Sequence, residues 1–194
     1  MIEFILKGGK TMLPLFICSL VSVTIIIERF LSLRAARVVP ASLSDKIDDA
    51  RDLESVVDHA KTKKSALSTL VIGLFSRRSA APDKLHMIFN TLFKKEITVL
   101  ERGLTTLEVI AAITPLLGLL GTVLGMVDVF NVVAEIGVGQ ASALSSGISK
   151  ALITTIAGLS VAIPTLVFHS FFMRRSEKMA LALEESSQSF YHRL

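Results

Sequence analysis

Threonine hydroxyls occur inside two long stretches of the chain that carry no Asp, Glu, Lys or Arg. Residues 109–127 include Thr122, and residues 151–173 include Thr155. A hydroxyl group donates and accepts hydrogen bonds without adding a fixed charge, so it suits a polar path through an apolar surrounding. A polar path is therefore one candidate function for these residues, to be weighed against simple helix packing.

Small and polar residues gather on one face of each stretch. The first face consists of Gly118, Gly121 and Gly125, and the second consists of Thr155, Gly158, Ala162, Thr165 and His169. At 100° per residue, the second set falls within an arc of roughly 80°. The Gly-xxx-Gly spacing is typical of membrane helices that pack closely. Two interpretations stay open: the faces pack on neighbouring helices with each hydroxyl bonded to its own helix, or they line a polar path.

Titratable groups are missing from the middle of the apolar stretches. His169 lies near the end of the second stretch, close to the Arg174-Arg175 pair, and we expect it at the membrane interface. Lys150 directly precedes the same stretch, and its long side chain is expected to reach the opposite interface. Because no carboxylate occupies the interior of a stretch, a proton path here would need a carrier from a partner.

Three apolar runs predict three membrane-spanning helices, at residues 11–27, 109–127 and 151–173. The first run is at the short end of the usual length for a membrane span. A signal peptide is the alternative for it, because Lys7 and Lys10 precede the run. The run is longer than an ordinary signal core and lacks a clear cleavage site, so we expect a retained helix.

The other segments are 1–10, 28–108, 128–150 and 174–194. We expect 28–108 to be charged and helical, with one continuous helix from about residue 85 into the second span, because no proline interrupts it before Pro115. The 128–150 segment is predicted to be a short connection with a Ser-rich turn. The 174–194 tail is predicted to be helical.

Basic residues lie mainly on one side of the three predicted spans. They are Arg29, Arg34 and Arg37 after the first span, Lys94, Lys95 and Arg102 before the second, and Arg174, Arg175 and Lys178 after the third. Under the positive-inside rule, 28–108 and the tail are cytosolic, and the N-terminus and 128–150 are periplasmic.

Several function classes are not expected. The net charge of +4 does not indicate nucleic-acid binding, because the basic residues are mixed with acids and basic loops are usual in membrane proteins. Cys18 is the only cysteine, so no intramolecular disulfide or thiol metal cluster can form, and no metal or cofactor is predicted. Ser160 and His169 are about 13 Å apart along one helix, too far for a nucleophile and its base, so we predict no enzymatic activity.

The chain resembles the MotA/TolQ/ExbB proton-channel family. The resemblance rests on three segments: Ile27-Glu28-Arg29, the Thr-Pro-Leu-Leu-Gly-Leu-Leu-Gly-Thr-Val-Leu-Gly run at 114–125, and 147–159 followed by Ala162-Ile163-Pro164. The length, the three spans and the large first cytosolic segment are most similar to the ExbB and TolQ branch. Flagellar MotA-like subunits have four spans and fit less well.

The resemblance implies an all-α membrane protein that assembles as a homo-oligomeric ring of five subunits in the inner membrane of a Gram-negative bacterium. It implies a single-span ExbD- or TolR-like partner with a membrane aspartate, and a TonB-like protein that receives the work. Thr122 and Thr155 match the pore-facing threonines of the family, whereas Lys150 stands where ExbB and TolQ commonly have glutamate. A non-conducting membrane scaffold is the alternative function.

Overall fold

A computed structural model describes residues 11–49, 52–136 and 141–194. These residues form eight α-helices joined by turns: α1 (Met12–Ser32), α2 (Ala35–Val38), α3 (Ala41–Asp49), α4 (Leu53–Thr62), α5 (Ala66–Phe75), α6 (Pro82–Glu101), α7 (Leu104–Ile136) and α8 (Ala141–Tyr191). The all-α prediction is thus confirmed for the described part of the chain.

Three helical segments of the described chain each contain an apolar stretch long enough to cross a membrane. They are Met12–Ser32, Pro82–Ala134, which combines α6 with most of α7, and Ser145–Tyr191 within α8. Each predicted span lies largely inside one of these segments. With 33 and 51 residues, α7 and α8 are about 50 and 75 Å long, so both extend well beyond a hydrocarbon core of about 30 Å.

The expected continuous helix into the second span is interrupted. Helix α6 ends at Glu101 and α7 begins at Leu104. Between them Gly103 has φ +79°, a left-handed conformation that glycine adopts without steric cost and that commonly ends a helix. The sequence pattern missed this break because apolar residues recur at helical spacing on both sides of it.

The 128–150 segment is mostly helical, and the predicted Ser-rich turn is wrong. Helix α7 continues to Ile136, and α8 already begins at Ala141, with residues 137–140 outside the described part. A Cβ atom added to Gly147 would collide with the Val129 side chain, so α7 and α8 remain in contact through this segment. That packing overrides the modest preference of serine for turns.

The described chain divides into two compact units. The first unit contains the residues up to Ile27 and those from Gly103 to Ser170, and the second contains Glu28–Arg102 and Phe171–Leu194. In the first unit, buried side chains of α7 such as Leu107 accompany buried small residues of α8 such as Ala151 and Ala162.

The second unit has a conventional apolar core. Its fully buried side chains come from several helices and include Leu43, Ile47, Val56, Leu67, Leu70, Leu74, Phe172, Leu183 and Phe190. The side chains of Asp52 and Ser65 accept backbone N–H groups at the starts of α4 and α5, which fixes where both helices begin.

Arg29 is a charged member of this second core, and its side chain is only 2% exposed. Its guanidinium donates to the carbonyl oxygens of Val99 at 3.2 Å and Leu100 at 3.1 Å, and it pairs with the Glu28 carboxylate at 2.6 Å. The last carbonyls of a helix have no partner within that helix. Arg29 therefore stabilises the end of α6 just before the break at Gly103.

Candidate functional site

The two glycine-containing faces meet where α7 packs on α8 in the first unit. A Cβ atom added to Gly158 would lie 2.6 Å from the carbonyl oxygen of Thr114 and 3.1 Å from Cα of Gly118. A Cβ on Gly118 would lie 3.1 Å from the Thr154 carbonyl oxygen and from Cα of Thr155. Both glycines thus face backbone, so the two helices approach closely only because no side chain stands between them.

The contact continues along α7 at the next two glycines. A Cβ on Gly121 would overlap the Thr154 side chain, and one on Gly125 would lie 2.9 Å from Cβ of Ala151. Ala162, the remaining small residue of the predicted face, is 6% exposed. The structure therefore brings Gly118, Gly121, Gly125 and Gly158 to one helix–helix contact.

Thr155 makes a hydrogen bond between the two helices. Its hydroxyl donates to the carbonyl oxygen of Gly118 at 3.2 Å. Thr122 follows Gly118 by about one helical turn, and its hydroxyl donates to the Leu119 carbonyl of its own helix at 2.7 Å. Thr155 therefore lies beside Gly118, about one helical turn from Thr122, and both threonine side chains are half-buried.

Thr154 was not singled out from the sequence, and it is more deeply buried than Thr122 and Thr155, as are Thr114 and Thr165. Thr154 is 1% exposed and donates to the Ala151 carbonyl at 2.7 Å, with a longer contact of 3.4 Å to the Gly118 carbonyl. Thr114 and Thr165 are also buried and bond to carbonyls one turn earlier in their own helices. Gly118 and Gly121, which lie opposite Thr154, could have indicated that this threonine is buried, because a missing side chain on one helix leaves room for a hydroxyl on the other.

Lys150 has an acidic neighbour that the sequence analysis did not assign to it. Its Nζ lies 3.8 Å from a carboxylate oxygen of Asp128, across the contact of α7 and α8. The lysine side chain is 42% exposed and the aspartate 65%, so this pair is weak and partly solvated. Lys150 therefore lies beside a carboxylate, and its predicted place at the membrane interface stays a prediction.

His169 is half-buried on α8. Its Nε2 atom is buried and has no hydrogen-bond partner among the described residues. Its predicted place at the membrane interface stays a prediction.

The chemistry available at the helix contact is hydrogen bonding by neutral hydroxyls. Residues 109–127 and 151–173 contain no Asp, Glu, Lys or Arg. Among the described residues, no group of three or more His, Cys, Asp or Glu side chains is arranged to hold a metal ion. The contact can therefore accept or donate a hydrogen bond to a visiting group, but it has no acid of its own to carry a proton.

Comparison with known proteins identifies the family to which the chain belongs. Residues 57–185 match the MotA/TolQ/ExbB proton channel family, which is more than half of the chain. The chain belongs to this family, as its sequence motifs indicated. It is a multi-pass membrane protein with a transport function and is not an enzyme.

Individual relatives match over most of the chain. It is 34% identical to ExbB-like 1 of Synechocystis, covering 92% of this chain and 73% of the relative. It is 32% identical to ExbB-like 3 of the same organism, covering 94% and 90%. It is also 31% identical to the biopolymer transport protein exbB1 of Vibrio cholerae, covering 79% and 70%.

Proposed function

We propose that this chain is the channel subunit of a proton-driven motor and assembles as a homo-oligomeric ring of five copies. Helices α7 and α8 line the central pore, and a single-span ExbD- or TolR-like partner with a membrane aspartate occupies it. The observation that carries this proposal is the bond from Thr155 to Gly118, which joins two helical stretches, 109–127 and 151–173, that contain no Asp, Glu, Lys or Arg. The similarity to exbB1, a biopolymer transport protein, supports it.

The hydrogen bonds that the Thr122 and Thr155 hydroxyls already make suggest how these hydroxyls would bind a proton carrier. Both hydroxyl protons are already donated to carbonyl oxygens, of Leu119 for Thr122 and of Gly118 for Thr155. Each oxygen keeps lone pairs, so it can accept the O–H of a protonated carboxylic acid. We infer that the neutral, proton-loaded form of the partner's aspartate is received in this way.

The ionised aspartate needs donors instead of acceptors. A hydroxyl can rotate, and the 3.2 Å bond from Thr155 to Gly118 is longer than the 2.7 Å bond from Thr122 to Leu119. Breaking the longer bond costs less, so Thr155 is the better donor to the carboxylate. The two hydroxyls can thus hydrogen-bond to the aspartate in both its protonated and its ionised form. Neither hydroxyl carries a fixed charge, and fixed charges are strongly disfavoured in an apolar membrane interior.

Lys150 and Asp128 belong to the end of the helix pair that we assign to the periplasmic side. Their proximity of 3.8 Å compensates the charges of both groups. We infer that this end presents a neutralised pair where the family commonly presents a glutamate, so proton entry does not rely on a free carboxylate at position 150.

In this arrangement the N-terminus and 128–150 face the periplasm of a Gram-negative bacterium, and 28–108 and 174–194 lie in the cytosol. The excess of basic residues flanking the spans on the cytosolic side supports this orientation. The work done by proton passage would drive an envelope process such as TonB-dependent transport across the outer membrane.

The competing function is a non-conducting membrane scaffold, in which the glycine contact serves packing alone. Isolation of the chain from native membranes, followed by mass spectrometry of the intact complex, separates the two. The motor function requires several copies of this chain with fewer copies of a single-span protein that carries a membrane aspartate. A lone chain, or a partner without a membrane carboxylate, would support the scaffold and refute the motor.

A further inference from the structure

A cavity of about 490 Å³ is lined entirely by residues of the second unit, none of which belongs to the helix contact described above. Its walls come from the end of α1, the α2 segment, the junction of α4 with α5, and the last part of α6. This volume falls within the range of about 300–1,000 Å³ that is usual for small-molecule sites. The size alone therefore allows a ligand as large as a lipid headgroup.

The rim of the cavity is strongly basic. Arg37, Lys61, Lys63 and Lys64 line it, against one carboxylate from Glu96. Lys61 pairs with Asp58 outside the cavity at 2.8 Å. Arg37, Lys63 and Lys64 have no ion-pair partner among the described residues. With Glu96 as the one carboxylate that lines this cavity, these three cations leave an excess of positive charge, which favours an anionic ligand.

The floor of the same cavity is apolar. Val38, Ala60 and Leu100 line it, and all three are buried in the core. Ser65, the residue that caps the start of α5, is also part of the wall, so the positive end of that helix adds to the field of the lysines. The cavity thus combines a cationic rim with an apolar base.

We propose that this cavity binds a phosphate ester, with the phosphate group among Arg37, Lys63 and Lys64 and the apolar part of the ligand against Val38 and Leu100. The ligand is either the headgroup of an anionic phospholipid or a soluble phosphate ester, since both present the same group. Ser32, the last residue of α1, forms part of the wall, and α1 is long and apolar enough to span a membrane. Basic pockets of this kind beside membrane helices suit anionic headgroups.

The test measures ligand binding to the purified full chain in detergent by microscale thermophoresis. The probes are dioctanoyl phosphatidylglycerol, dioctanoyl phosphatidylcholine and glycerol 3-phosphate. The cavity variant is Lys63→Gln with Lys64→Gln, and the matched control is Lys46→Gln with Lys84→Gln, which removes the same charge from residues that do not line the cavity. Circular dichroism verifies that both variants keep their helical content.

We expect phosphatidylglycerol to bind more tightly than phosphatidylcholine, and the cavity variant to bind it about 30-fold more weakly, while the control changes little. Binding of phosphatidylglycerol without glycerol 3-phosphate identifies a lipid as the source, and binding of both identifies the phosphate group itself. Equal binding of the two lipids, equal losses in the two variants, or no binding of any probe would overturn the proposal. None of these results depends on whether the chain conducts protons.

Discussion

Replacing Gly158 by alanine tests whether the contact of α7 with α8 is set by the absence of a side chain. The new Cβ would stand 2.6 Å from the Thr114 carbonyl oxygen, about 0.8 Å short of ordinary contact, and 3.1 Å from Cα of Gly118. Both obstacles are backbone atoms, so no side-chain rotation can relieve them. The helices must move apart, which also stretches the 3.2 Å bond from Thr155 to Gly118 beyond hydrogen-bond length.

The free-energy cost follows from these displacements. Overpacking of this kind costs about 1–3 kcal/mol, and loss of one hydrogen bond costs about 0.5–1.5 kcal/mol. The helix propensity of alanine is better than that of glycine and offsets about 1 kcal/mol of this cost. We therefore expect Gly158→Ala to lower the free energy of unfolding by about 1–3 kcal/mol, with reduced transport because Thr155 leaves its position.

The assay is unfolding in mixed detergent, followed by far-ultraviolet circular dichroism because the chain has no tryptophan. Gly73→Ala is the control, since its Cβ would meet only the flexible end of Leu92, at 2.8 Å. We expect the free energy of unfolding of the Gly73→Ala control to stay within about 1 kcal/mol of that of the native chain. A Gly158→Ala variant as stable as the native chain, or a Gly73→Ala variant that loses as much, would refute the reasoning.

Three further substitutions probe the hydroxyl pair, the buried arginine and the interhelical ion pair. Thr155→Val keeps the side-chain shape and should cost about 1 kcal/mol of stability, yet lower proton uptake by vesicles containing the chain and its co-purified partner at least about tenfold. Thr155→Ser should retain most uptake, and normal uptake in the valine variant would contradict a pore-facing role. Arg29→Leu leaves two carbonyls at the end of α6 without their donor and should cost about 2–4 kcal/mol in detergent unfolding; an unchanged midpoint would show that water replaces the guanidinium. For Lys150 and Asp128, a double-mutant cycle with alanine should give a coupling of about 0.2–1 kcal/mol that shrinks in high salt, and a larger, salt-insensitive value would contradict the exposed geometry.

The sequence was sufficient for the class of fold, the number of candidate spans and the family. Lipid offers no hydrogen bonds to the backbone, so a charge-free run of sufficient length is read directly as a membrane helix. The same constraint makes the glycines of 118–125 and the threonines of both spans conspicuous, since small and polar residues have no reason to face lipid. The pore-facing role of Thr122 and Thr155 remains a prediction.

Tertiary structure decided the features that depend on residues distant in sequence. The bond from Thr155 to Gly118, the burial of Arg29 against the end of α6, and the pairing of Lys150 with Asp128 each join separate helices. Periodicity along one helix carries no information on the register of its neighbour, so none of these contacts could be assigned from spacing. The helical state of the serines after Ala141 has the same origin, because packing between helices overrode what local propensity favoured. The break at Gly103 instead has a local signal in the glycine, which the apolar periodicity on both sides concealed.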